Sequence, residues 1–170
     1  TIGADYAEYM EWSDGNPNNE DRCGSFVVLD KEANSDSVLM KLSEGKNDEY
    51  ILGIVSGDPS FIGNGDMYWN KKYMTDNFGR IQYEYNEDGT KTPLINPNYD
   101  PEQNYILRSE RAEWDVIGLR GFVNTIDDGT CKIGSYVKPS MNGIATISQE
   151  KTNYMCVSRI TNNIIKVDIR

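Results

Sequence analysis

Three carboxylates fall at the start of the chain, Asp5, Glu8 and Glu11, interleaved with Tyr6, Tyr9 and Trp12. Two carboxyls held close together can do acid–base work, because like charges push their pKa values apart and leave one protonated and one ionised. The ordinary alternative is a solvated acidic surface, which Asp and Glu near a chain end usually form. Histidine is absent altogether. That removes Ser-His-Asp and Cys-His catalysis and most catalytic zinc sites. Any chemistry must come from carboxylates, hydroxyls, thiols, lysines, amides or the backbone. Cys23, Cys131 and Cys156 are far apart and form no Cys-x-x-Cys pair, so they read as buried free thiols.

Whether Asp5 and Glu8 can meet depends on the element that carries them. Residues 5–12 contain no Gly or Pro and alternate loosely, which predicts an extended strand. On a strand Tyr6, Glu8, Met10 and Trp12 share one face, and Asp5 and Glu11 point to the other. A cooperating Asp5–Glu8 pair then needs a bend, a helical turn or a neighbouring subunit. Asp14-Gly-Asn-Pro is strong turn chemistry. Further strands are expected at 24–30, 38–42, 50–56, 81–85, 114–123, 131–137, 144–147, 154–160 and 164–169. The segment 76–104, with a hairpin turn at Asn86-Glu-Asp-Gly-Thr and prolines at 93, 97 and 101, reads as a protruding arm. No stretch keeps a 3.6-residue period. Many short strands separated by turns predict an all-β barrel or sandwich, with residues 1–170 as a single domain.

The chain has 17 basic and 27 acidic residues and a net charge of −10. An acidic surface of this kind argues against a nucleic-acid partner, which needs clustered Lys and Arg. No apolar run approaches the roughly 20 residues of a membrane helix.

The strings GADYAEYMEW from Gly3 and DGNPNNEDRCGSFVVLD from Asp14 resemble the start of the self-cleaving C-terminal domain of bacteriophage tailspike and pre-neck appendage proteins. YILGIVSGDPSFIGN, DNFGRIQYE, LINPNYDP, YILRSERAEWDVIGLRG and DDGTCKIGSYVKP extend the resemblance over essentially the whole chain. It implies an intramolecular chaperone at the end of a β-helical spike, which assists homotrimer formation during assembly in the host cytoplasm and then cuts itself off. With that activity in view, Asp5 and Glu8 become the first choice for a catalytic pair. Glu11 is next, with Glu20 and Asp21 in reserve.

Thr1 offers a second route. A hydroxyl just after a scissile bond can attack the preceding carbonyl and form an ester that water opens. The two candidate cuts are therefore before Thr1 and between Ala4 and Asp5. Asn16 and Arg22 could polarise the scissile carbonyl, or simply hold a turn.

Some members of the family link release to ATP, which the resemblance carries over only as a possibility. Arg108, Arg111 and Lys72, with Lys71 and Arg80, are the anion-binding candidates. No phosphate-binding Gly-x-x-x-x-Gly-Lys-Ser/Thr loop is present. Asp58 and Asp128 sit near turns, but their spacing fits no EF-hand. Two other readings compete: a trimeric head that binds a host glycan through Tyr68 and Trp69, and an inactive structural collar.

Overall fold

A computed structural model of the chain describes residues 4–33, 37–65 and 72–170. Thr1, Tyr68, Trp69 and Lys71 lie outside the described residues. Twelve strands and one 3-10 turn make up the regular structure, and no α-helix occurs among the described residues. The strands are β1 (Ala4–Trp12), β2 (Phe26–Leu29), β3 (Leu39–Leu42), β4 (Ile51–Val55), β5 (Phe61–Gly63), β6 (Tyr83–Tyr85), β7 (Lys91–Pro93), β8 (Trp114–Ile126), β9 (Tyr136–Pro139), β10 (Ala145–Ser148), β11 (Tyr154–Thr161) and β12 (Ile164–Ile169). The all-β expectation holds.

The chain divides into two compact units, Thr1–Gly65 with Arg108–Arg170, and Asp66–Leu107. The second contains the hairpin β6–β7, paired from Tyr83↔Pro93 to Tyr85↔Lys91. Its limits are wider than those of the segment 76–104 expected as an arm.

In the first unit, one sheet runs β10-β9-β11-β12-β8-β4-β2-β3-β1-β5, and β1 pairs again with β8. That extra pairing closes a ring, β1-β8-β4-β2-β3, in which only the β3–β1 contact is parallel. Closure removes free sheet edges along the ring. Strand β8 makes it possible by its length. Its first half pairs with β4 on one side, its second half pairs with β12, and β1 follows its other side from Trp114 to Phe122.

Two apolar clusters lie against a shared wall. Phe26, Ile54 and Val123 belong to the first and Val27, Val55 and Ile117 to the second, so successive residues of β2 and β4 face opposite cores. Strands buried on both faces read as continuous apolar runs, which is why Phe-Val-Val-Leu and Ile-Leu-Gly-Ile-Val do not alternate. Phe26 packs edge-on against Tyr154, with centroids 5.0 Å apart at 82°. Full burial of such a ring contributes about 1.5–3 kcal/mol.

The expected strand 131–137 is shorter in the structure. Residues 131–135 form a turn, in which Ser135 N–H donates to the Lys132 carbonyl at 2.9 Å and Gly134 takes a φ of +85°. Cys131 and Cys156 are buried as expected, whereas Cys23 is exposed. Burial, followed by the nearby Asp127 charge, pushes the Cys131 thiol up to about 12.

Candidate active site

Strand β1 is continuous from Ala4 to Trp12, but its buried face changes along its length. Asp5 and Ala7 are buried at the start, while Met10 and Trp12 pack into the second core at the end. Odd and even residues point to opposite faces of a strand. Asp5 and Glu8 therefore stand on opposite faces, and β1 does not bring them together within one chain. Glu8 lies beside β5, where it accepts a hydrogen bond of 2.5 Å from the Tyr6 hydroxyl. A side chain at Gly63 would collide with this pair, its Cβ falling 2.7 Å from Tyr6 Oη and 3.0 Å from Glu8 Cγ. Glu11 is half-buried in the ladder opposite Trp114 and Leu39.

Asp5 is the unusual member. It is only 3% exposed, and its Oδ2 has no hydrogen-bond partner. Burial pushes its carboxyl above the usual carboxylate range, the charge of Asp58 adds to the shift, and the Ser56 hydroxyl pulls the other way. The loop after β4 is fastened against it, since Ser60 N–H donates to the Asp5 carbonyl at 3.0 Å. Asp5 lines a cleft of about 240 Å³ together with Ala4, Ser56, Asp58, Asn124 and Lys166. A second, polar cleft of about 430 Å³ shares Cys23, Ser56 and Gly57 with it and reaches Asp115. Asp115 accepts the Trp12 indole N–H at 2.9 Å, and burial raises its carboxyl as well.

Two glycines of β8 let the chain approach Asp5. A Cβ on Gly118 would fall 3.0 Å from Asp5 Oδ2 and 2.6 Å from Val123 Cγ2. A Cβ on Gly121 would fall 2.3 Å from the Ala4 carbonyl oxygen, and its φ of +99° disfavours any side chain. Gly121→Ala is expected to lift the start of β1 off β8, at a cost of about 2 kcal/mol. For a chain of this size that is a fall in melting temperature of roughly 4–8 °C, read by calorimetry.

Asn16 and Arg22 are engaged structurally. Asn16 is buried at a φ of +41°, and its amide binds both the N–H and the carbonyl of Glu20, at 2.8 and 3.0 Å. Arg22 grips Asp14 through two nitrogens at 2.7 and 3.1 Å, reaches Glu20 at 3.0 Å, and lies 4.4 Å over the Trp12 ring. That contact holds the Asp14 carboxyl below its usual range. The reserve residues Glu20 and Asp21 line the larger cleft.

The cationic candidates are also engaged. Arg108 is buried 4.0 Å over the Trp114 ring and donates to the Asn64 carbonyl, and Arg111 contacts Glu113 at 3.3 Å and the same ring at 5.6 Å. Lys72, in the other unit, lies 5.5 and 5.3 Å over Tyr73 and Tyr99. A nucleotide phosphate needs cations turned towards a cavity. Arg111 lines the larger cleft together with Arg22, whereas Arg108 is packed on the Trp114 ring and Lys72 belongs to the other unit. No cluster of three metal-ligating side chains occurs among the described residues.

A closed β ring with a buried carboxyl on its first strand defines a β domain with a carboxyl site beside strand β1. Residues 1–166 match the family described as Peptidase_G2, IMC autoproteolytic cleavage domain, and the chain belongs to that family. It is 36% identical over 148 residues to the preneck appendage protein of Bacillus phage PZA and 35% identical to the pre-neck appendage protein of Bacillus phage phi29. Each match covers 84% of this chain and 16% of the relative, so the chain spans about a sixth of their length. The crystal structure of the phi29 gene product 12 C-terminal fragment is similar at 30% identity and a TM-score of 0.77, covering 98% of this chain and all of that one. The pre-mature phi29 gene product 12 is similar at 29% identity and a TM-score of 0.80, over 100% of this chain and 22% of that one.

Proposed function

We propose that this chain is the C-terminal intramolecular chaperone of a phage spike or appendage protein, which promotes trimerisation in the host cytoplasm and then releases itself at its N-terminal edge. The observation that carries the reading is Asp5, a buried carboxyl with an unpartnered oxygen on the first strand of a domain in an autoproteolytic family. Peptide hydrolysis needs a base to activate water and an acid to protonate the leaving amine. Asp5, whose carboxyl burial pushes above the usual carboxylate range, is the candidate for the acid.

Glu8 is the first choice for the base, with Glu11 behind it. Since β1 turns Glu8 away from Asp5, Glu8 would act from a second copy of the chain. Cleavage would then wait for the trimer, which orders the two steps. A compact domain that trimerises first can also set the register of parallel upstream β-helical chains, which slip easily by themselves. Removal of the domain would leave the spike kinetically trapped.

The test is an intact-mass time course on a chain carrying some fifty upstream residues, about one small subdomain, with oligomeric state followed in parallel. The expected result is a trimer from which a fragment with a single new N-terminus appears. A stable trimer that stays covalently intact would sink the reading and favour a passive structural or glycan-binding head.

A further inference from the structure

The cleft beside the start of β1 is rich in acceptors. Asp5 Oδ2 is buried without a partner. Ser56 and Asp58 line the same cleft, on a loop whose Ser60 N–H is bound to the Asp5 carbonyl. Two carboxyl groups and a hydroxyl therefore line one cleft at Asp5. An ammonium group offers three N–H donors and no acceptor, which suits such a set. Lys166 also lines the cleft but makes no hydrogen bond to Asp5 Oδ2.

Hydrolysis of the Ala4–Asp5 bond makes an ammonium at this place. Water adds its oxygen to the Ala4 carbonyl carbon, the C–N bond breaks, and the products at neutral pH are the Ala4 carboxylate and the Asp5 α-ammonium. We propose that the cleft lined by Asp5, Ser56 and Asp58 is a binding site for the α-ammonium that cleavage leaves on Asp5. The inference rests on the self-cleavage reading and selects Ala4–Asp5 from the two candidate cuts. A cut before Thr1 puts the new ammonium four residues upstream and leaves Asp5 Oδ2 unpartnered.

A bound ammonium would hold the start of β1 in place in the released domain. It would also withdraw the amine from the reverse reaction, since only the neutral amine can attack a carboxyl carbon. The charged and titratable groups facing it are Asp5 and Asp58, which favour it, Lys166, which opposes it, and Cys23.

The experiment uses the product that the longer chain makes of itself. Its N-terminus is sequenced, and the α-amine is titrated by NMR with nitrogen-15 in aspartate. An ordinary α-amino group titrates at about 7.7–8.0. The expected result is a product beginning at Asp5 whose amine holds its proton about tenfold more tightly, one unit higher. Stability from this contact should then be present below the ordinary value and lost as pH rises through the raised one. Asp58→Asn should return the amine to the ordinary range. A product beginning at Asp5 with an ordinary or lowered value overturns the ammonium site and leaves self-cleavage standing. A product beginning elsewhere overturns the site and leaves self-cleavage standing, and no product at all overturns the site together with the reading beneath it.

Discussion

The longer chain carrying Asp5→Asn is expected to form its trimer and remain uncut, with cleavage slowed by about 10²–10⁴-fold, the usual weight of a positioned acid or base. The same substitution is expected to make the domain more stable at neutral pH. Asp5 has an ordinary value of 3.8 that burial raises in the folded state. Between 3.8 and the raised value the folded chain binds more protons than the unfolded one, so stability from this group falls as pH rises through that window. Above the window a buried charge remains with one oxygen unpartnered. Asn keeps the shape and removes the charge. The expected gain is a rise of a few degrees in melting temperature at pH 7 that shrinks as pH falls through the window and disappears below 3.8, where Asp5 is protonated in both states. Loss of cleavage with gain of stability is the signature of a group kept for chemistry at a cost to the fold. Loss of both would mark Asp5 as structural. An uncut wild type would deprive it of the role.

Much of this site was legible in the sequence. The absence of histidine and the carboxylates at positions 5, 8 and 11 directed attention to carboxyl chemistry, and the strand over 5–12 already implied that Asp5 and Glu8 face apart. Asp58 was read as a turn residue, because Gly-Asp-Pro is turn chemistry wherever it occurs. Its approach to Asp5 depends on the Ser60–Asp5 hydrogen bond, a contact across more than fifty positions that no local pattern encodes. The ring closure was hidden for a similar reason. Strand β1 pairs in parallel with β3 and antiparallel with β8, and such non-local pairings leave only an apolar run in each strand. The turn at 131–135 was missed because Cys131-Lys-Ile alternates like a strand, while the left-handed Gly134 decides otherwise.

The fold has one further dependence that composition does not reveal, and Arg159→Met is expected to expose it. Asp127 has a side chain with no exposure, and Arg159 grips it through two nitrogens at 3.1 and 2.9 Å. The same guanidinium accepts no proton but donates onward, to the carbonyls of Cys131, Thr161 and Asn162 at 2.6, 3.1 and 3.0 Å. One side chain thus ties the end of β8 to the turn at 131–135 and to the β11–β12 hairpin. Ion pairs exposed to water contribute little. Here the acidic partner is fully buried, so removing the arginine leaves its charge with the Cys131 N–H at 3.3 Å as the remaining donor and frees the buried Cys131 carbonyl. The exposed side of the guanidinium is screened by water, so the loss is smaller than for a fully buried pair, and it is read as a lowered melting temperature by calorimetry. Arg159→Met, Asp127→Leu together should recover part of the loss, because burying neither charge avoids the desolvation cost. A single substitution that melts within a degree of the wild type would show that the pair is a surface contact in solution. Since both residues lie far along the chain from β1, the double variant should still cleave at the wild-type rate once folded, which separates what holds the domain together from what cuts it.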